Sequence, residues 1–240
     1  IDACPQAALA GICDSAPSRG SVAQQFATRF YQTPEELLAQ EKPDGVIIAT
    51  PNHMHASVAE TCAAHGVHML VEKPIADTLV DAERIVHCAK AAGVQVLVGH
   101  HRRHNPLIAE TRRLIAQGAV GRLIGISVLW TIRKPDDYFQ VTWRSQRPNG
   151  GPALINLIHD VDSLRFICGE VKQVYAQCSS AVRNFAVEDS LSATLTFENG
   201  AFASVLLSDA AVAPWSYEAT SGENPTYFRT HEDCYRFVGT

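Results

Sequence analysis

Two short stretches of this chain carry the side chains that chemistry needs. In "VEKPIA" (Val71 to Ala76) an apolar run ends on Glu72 and Lys73, and Pro74 then stiffens the backbone. A lysine presented at the end of a buried strand can move a proton or stabilise negative charge developing on a bound molecule, and the proline narrows the conformations from which it acts. The second stretch, "NGGPALINLIHDVD" (Asn149 to Asp162), opens on Gly150-Gly151 and reads as a helix from Pro152 to Cys168. At about 100° per residue, Leu154, Leu157, Ile158, Val161 and Leu164 fall on one stripe, and Asn156, His159, Asp160 and Ser163 gather opposite. Histidine ordinarily titrates near neutrality, which suits a general base. The plain alternatives are a surface Lys–Glu pair and a solvated helix face.

The elements that must position these residues follow from the apolar pattern. "ALAGICD" (Ala8 to Asp14), "GVIIAT" (Gly45 to Thr50), "HMLVEKP" (His68 to Pro74) and "VQVLVGH" (Val94 to His100) are almost wholly apolar, as strands buried on both faces are. Helical stretches separate them: "TPEELLAQ" opens with Thr33 as N-cap and Pro34 at the first helical position, and a second runs from Thr78 to a terminating Gly93. This alternation predicts a doubly wound parallel sheet. From about Gly121 the rhythm changes. "GRLIGISVLW", "VKQVYAQCSS", "SLSATLTF" and "AFASVLLS" alternate as half-buried antiparallel strands do. The expected organisation is an α/β dinucleotide-binding domain over residues 1–120 and an α+β domain with a mostly antiparallel open sheet over 121–240. "SGENPTYFRTHEDCYRFVGT" breaks the strand rhythm, so further strands are expected beyond the carboxyl end.

Open parallel sheets bind ligands outside the carboxyl ends of their strands. Asp14 ends the first run, where an acid accepts hydrogen bonds from an adenosine ribose; a turn or N-cap aspartate is the alternative. The glycine-rich phosphate loop belongs about 20 residues upstream of such an acid, so it is expected before Ile1. Ser15 and Arg19 leave room for a 2′-phosphate, so NAD is expected with NADP not excluded. At "ATPNHMHASVAE", Thr50, Pro51, Asn52 and His55 form a second strand end, read as a cofactor contact or as helix capping. "GHHRRHNP" (Gly99 to Pro106) reads as a pocket rim with Arg102 on the cofactor, or as solvated charge, and no metal site is expected from the scattered histidines.

Composition narrows the partners. Twenty basic and 25 acidic residues, with a pI near 6.0, argue against nucleic acid or an anionic membrane as the main partner. Seven scattered cysteines without a CxxC pair read as reduced thiols in a cytoplasm.

"ATPNHMH", then "EKP", then "GHHRRHNP", then "NGGPALINLIHDVD", in this order, resemble the Gfo/Idh/MocA family of nicotinamide-dependent sugar and polyol oxidoreductases. The resemblance implies a Rossmann domain, a carboxy-terminal open sheet that lines the substrate site and often makes a homodimer or homotetramer, and a sugar, inositol or related polyol as substrate. It further implies Lys73 and His159 as the catalytic pair, Glu72 on the cofactor ribose or orienting the lysine, and a cis bond before Pro74. Tyr138, Trp143, Arg144 and Asn156 are the expected substrate contacts. The loop "KPDDYFQVTWRSQ" is long enough for a lid or an oligomer contact, a floppy excursion being the alternative. One departure stands out: where many polyol dehydrogenases of the family carry an aspartate, four residues before the histidine, this chain has Ile155. Two further readings stay open, a redox-assisted glycosidase and a non-catalytic dinucleotide-binding regulator, although a regulator has no need of Lys73 and His159.

Overall fold

The structure, a computed structural model, describes residue 1 and residues 3–240. It divides into two compact units, Ile1–Gly99 and His100–Thr240. The first contains five short strands, β1 (Gly11–Cys13), β2 (Arg29–Tyr31), β3 (Gly45–Ile48), β4 (His68–Val71) and β5 (Val96–Val98), and four helices, α1 (Gly20–Gln25), α2 (Pro34–Glu41), α3 (His55–Ala64) and α4 (Leu79–Ala92). All the strand pairs are parallel. β1 joins β2, and β3, β4 and β5 lie in that order in a second piece, with Ile48 opposite Val71 and Val71 opposite Val98.

The helix signals act where the sequence places them. The Thr33 hydroxyl accepts from the Glu36 N–H ahead of Pro34, the Thr78 hydroxyl accepts from the Asp81 N–H, and Gly93 closes α4 at φ +69°. Ile48, Met69 and Val71 pack on Ala56, Ala59, Cys62, Ile85 and Ala89 to form the core. The expectation of strands buried on both faces fails for the opposite side: Ile47 is 51% and Leu97 67% exposed, because α3 and α4 cover only the face that Ile48 and Val71 occupy.

The second unit begins earlier than the expected boundary at 120/121. Helix α5 (Pro106–Ala116) belongs to it because Ile108 sits in its core beside Leu164 and Trp130. The sheet order is β10 (Tyr235–Gly239), β6 (Leu123–Thr131), β9 (Phe202–Ser208), β8 (Ser190–Phe197), β7 (Val171–Ser179), antiparallel except for β6 with β9. In β6, β8 and β9 alternation works as predicted: Ile126, Val128, Trp130, Leu191, Ala193, Leu195, Ala203, Val205 and Leu207 point into the core, while Phe202 and Leu206 stand on the outer face. It fails in β7, the edge strand, which is exposed along nearly its whole length, with Val174 59% and Tyr175 67% exposed. β10 is a correction, since it lies inside the stretch expected to break the strand rhythm. Tyr235 and Phe237 alternate toward the core, but five residues are too few to show it in the sequence.

The predicted helix from Pro152 to Cys168 has two parts. Ala153–Leu157 form a π-helical turn, and α6 (Ile158–Cys168) follows. A π turn adds a residue to the local period, so the predicted stripes do not run straight. His159, Asp160, Asp162 and Ser163 are buried along with Leu157 and Leu164, and the polar stripe is no solvated face. Helix α7 (Tyr217–Ser221) lies between β9 and β10 in the chain. Among the described residues, no helix is long and apolar enough to cross a membrane.

Candidate active site

In the first unit the candidate residues collect at the carboxyl ends of the parallel strands. β4 does not release the chain at Val71. The Glu72 N–H donates to the Ile48 carbonyl at 2.9 Å and the Gly99 N–H to the Val71 carbonyl at 2.8 Å. The Lys73 N–H donates to the Glu72 carboxylate at 3.2 Å, the Lys73-Pro74 peptide is cis, and Lys73 is half-buried. The Glu72 carboxylate lies over Gly99, where an added Cβ would come within 3.2 Å of its Oε2.

His55, expected as a cofactor contact or in helix capping, is held by backbone carbonyls of its own unit. It is fully buried, with Nε2 2.9 Å from the Thr50 carbonyl and Nδ1 3.1 Å and 3.2 Å from the carbonyls of Pro74 and Ile75. Its ring thus clasps the end of β3 to the turn that carries Lys73. Pro51 is exposed, and half-buried Asn52 begins the 3-10 turn Asn52–Met54 ahead of α3. The Thr50 hydroxyl is buried without a hydrogen-bond partner. Asp14 accepts the Ala16 N–H at 2.8 Å through Oδ1, the turn role weighed against a ribose contact.

In the second unit the two glycines decide how the long loop meets the helix. A Cβ on Gly150 would lie 2.5 Å from the Arg144 carbonyl oxygen, and one on Gly151, at φ +93°, would lie 2.4 Å from the Glu188 carboxylate. With hydrogen in their place, the Gly150 N–H reaches the Gln146 carbonyl and the Gly151 N–H the Arg144 carbonyl. The loop itself forms two 3-10 turns, Asp136–Gln140 and Thr142–Ser145. Arg144 donates to the Tyr138 carbonyl and stacks on the Tyr138 ring at 4.0 Å, and Trp143 lies on the same turn, 38% exposed. Burial raises the Tyr138 hydroxyl above its ordinary value. Gly150→Ala is expected to destabilise the second unit by about 1–3 kcal/mol, the cost of forcing a methyl into a filled site. Thermal denaturation checks it.

His159 opens α6, 8% exposed, and half-buried Asn156 lies in the π turn before it. The His101 ring meets His159 edge-on, with centroids 5.1 Å apart at 71°, and its Nε2 bonds Glu223 at 2.8 Å. Asn224 is half-buried beside Glu223, and Tyr227 turns instead toward Lys134, a buried lysine among the Trp130, Tyr138 and Tyr227 rings.

Arg102, expected on the cofactor or as solvated charge, is buried in its own unit. It is 2% exposed and is held by carboxylates of its own unit: Glu218 at 2.8 Å, Glu223 at 3.1 Å and Asp160 at 3.4 Å. All three of these carboxylates belong to the second unit. Glu218 also accepts the Trp130 indole N–H, and Asp160 the Tyr235 hydroxyl. Burial pushes the Asp160 carboxyl up to about 6 against the pull of Arg102. Arg103 and His100 both engage Asp162. His100, His101, Arg102 and Arg103 of the basic run all engage carboxylates, and among the described residues no cluster of His, Cys, Asp and Glu is arranged to hold a metal ion.

The comparisons agree with this geometry. Residues 1–100 match the Gfo/Idh/MocA profile, described as an oxidoreductase family with an NAD-binding Rossmann fold, and residues 108–239 match the Gfo/Idh/MocA C-terminal domain. The 1,5-anhydro-D-fructose reductase of Ensifer adhaerens is 33% identical over 70% of this chain and 51% of its own length. The 2,7-anhydro-N-acetylneuraminate hydratase of Escherichia coli is 25% identical over 88% of the chain and 58% of its own length. Among solved structures, the WlbA dehydrogenase of Bordetella pertussis, in complex with NADH and UDP-GlcNAcA, superposes with a TM-score of 0.80 at 29% identity, over 85% of this chain and 60% of that one. The chain thus spans about half the length of the curated relatives it matches. With both of its units matched, one after the other, the chain belongs to the Gfo/Idh/MocA family of oxidoreductases.

Proposed function

We propose that this chain is an NAD-dependent dehydrogenase that moves a hydride between a secondary alcohol of a sugar, inositol or related polyol and the nicotinamide, with NADP as the alternative cofactor. The observation that carries the reading is the end of β4, where Glu72 and Lys73 stand half-buried at the carboxyl edge of a parallel sheet, the edge at which such sheets bind ligands. The strand ends suit a dinucleotide: Thr50 has a buried hydroxyl with no protein partner, and Asp14, Asn52 and Glu72 are half-buried polar groups that follow β1, β3 and β4. These four residues are assigned to hold NAD, which when bound accepts or returns the hydride.

The chain's own residues handle the proton and the charge. Lys73 stabilises the negative charge that grows on the substrate oxygen as its hydrogen leaves, and His159 takes that hydroxyl proton. Asn156, Tyr138, Trp143 and Arg144 bind and orient the polyol. The sugar substrates named for the Ensifer reductase and the WlbA complex support this class. Free thiols throughout support a reducing, cytoplasmic setting, and the apolar residues on the outer sheet face, Phe202 and Leu206, support self-association as a dimer or tetramer.

A second reading is favoured by the likeness to the Escherichia coli hydratase. Adding water changes no net oxidation state, so the same residues would serve a reaction in which the hydride is taken and returned within one cycle. A cofactor-reduction screen of the full chain across polyols, aldoses and their acids, with NAD and NADP in parallel, separates the two. NADH accumulation with at least one substrate is expected, with kcat falling by roughly 10²–10⁴ in His159→Asn while NAD still binds. Conversion of sugar without NADH accumulation favours the second reading, and no turnover of any kind overturns both.

A further inference from the structure

Position 155 is an isoleucine, so no carboxylate stands one helical turn before His159. A general base is ordinarily oriented by a third group, which fixes the ring and supports the positive charge it acquires. Of the neighbouring acids of α6, Asp160 meets Arg102 and Tyr235 through Oδ1, and Asp162 meets Arg103 and His100.

Glu223 is differently placed. One of its oxygens accepts from Arg102 Nε at 3.1 Å and the other meets His101 Nε2 at 2.8 Å, so the carboxylate is fixed from both sides. A carboxylate only accepts, so His101 Nε2 carries the proton in this bond. The same ring meets His159 in a T-shaped contact, 5.1 Å between centroids at 71°. We propose that the Glu223–His101 pair is the positioning device for His159, supplying through an intervening imidazole the orientation and negative charge that an acid at position 155 would supply directly. This rests on the reading of His159 as the base. Neither residue is assigned to touch substrate or cofactor.

The device has two parts, and its test uses both. The side chain of His101 is 58% exposed, so replacing it does not open the core. In His101→Ala, His101→Phe and Glu223→Gln, kcat for alcohol oxidation is expected to fall about tenfold, a fraction of what a positioned base contributes, with KM for sugar and NAD unchanged. His101→Phe keeps an aromatic edge against His159 but cannot be held by Glu223, so it separates the hydrogen bond from mere packing. The His101→Ala/Glu223→Gln double variant is expected to be no slower than the slower single one, because the two act as a unit. A second readout needs no turnover. In full chain labelled with ¹⁵N-histidine, the His159 ring resonances, assigned by their loss in His159→Asn, are expected to move in Glu223→Gln. Unchanged kcat in His101→Ala, normal kcat in His101→Phe, additive losses, or His159 resonances indifferent to Glu223→Gln each overturn the proposal. Should the chain oxidise no alcohol at all, the proposed function fails, and the resonances alone decide whether Glu223 acts on His159.

Discussion

Replacing Arg102 by methionine is expected to lower the melting temperature by on the order of 10 °C. Arg102 is one guanidinium among three carboxylates, Asp160, Glu218 and Glu223, and it is 2% exposed. Removing one partner of a buried ion pair costs about 3–5 kcal/mol because the charge left behind can neither return to water nor find another partner. In a protein of this size each kilocalorie moves the midpoint by roughly 2–4 °C. The Trp130 indole and the Tyr235 hydroxyl still donate to Glu218 and Asp160, so the network is weakened and not erased.

The pH dependence has a definite sign. The folded value of Asp160, about 6, lies above its ordinary 3.8, so ionising it works against the fold. Below about pH 3.8 it is protonated in both states and costs nothing, the penalty grows as pH rises toward 6, and above that it is constant. Arg102 is the group that pulls the folded value down, and without it the penalty keeps growing past pH 6. The gap in stability between wild type and Arg102→Met should therefore be wider at pH 8 than at pH 5. Urea unfolding at the two pH values measures it, and an equal gap would mean that Asp160 does not feel Arg102.

What the sequence disclosed and what it hid divide along a physical line. Local rules were legible: Thr33 and Thr78 cap, Gly93 ends its helix, and the alternation in β6, β8 and β9 faces the core as written. So was the place of Lys73, because a strand end is a property of a single run. The roles of Arg102 and His55 were not. Arg102 meets acids more than 50 residues away in the chain, and His55 meets carbonyls 5 to 20 residues away, and no pattern in a single sequence encodes such pairings. The pitch of the helix was hidden for a different reason, since a π turn at Ala153–Leu157 alters the period on which a stripe depends. A glycine pair followed by proline marks the helix start but not its pitch. His101 had no signal of its own, standing in a basic run that reads as a pocket rim or as solvated charge.

The second large effect is expected at Lys73. Lys73→Met keeps the length of the side chain and removes its charge and its proton, and kcat is expected to fall by about 10³, the scale of losing a charge-stabilising donor in a water-poor site. The loss should fall on kcat and not on binding of NAD. The backbone that presents residue 73 is held by the Glu72 N–H on Ile48, the Gly99 N–H on Val71 and the carbonyls of Pro74 and Ile75 at His55, none of which involves the lysine side chain. Lys73→Arg is the sharper comparison. It restores a positive charge but in a planar, more weakly hydrated group that does not give up its proton, so charge stabilisation alone would be partly rescued and proton transfer would not. Partial recovery of kcat in Lys73→Arg would assign the lysine chiefly to the developing alkoxide, and none would assign it to the proton as well. Steady NADH production in Lys73→Met at the wild-type rate would remove the lysine from the mechanism. If Lys73 and His159 serve the same proton, the Lys73→Met/His159→Asn double variant should be little slower than the worse of the two singles, because a step already lost cannot be lost twice.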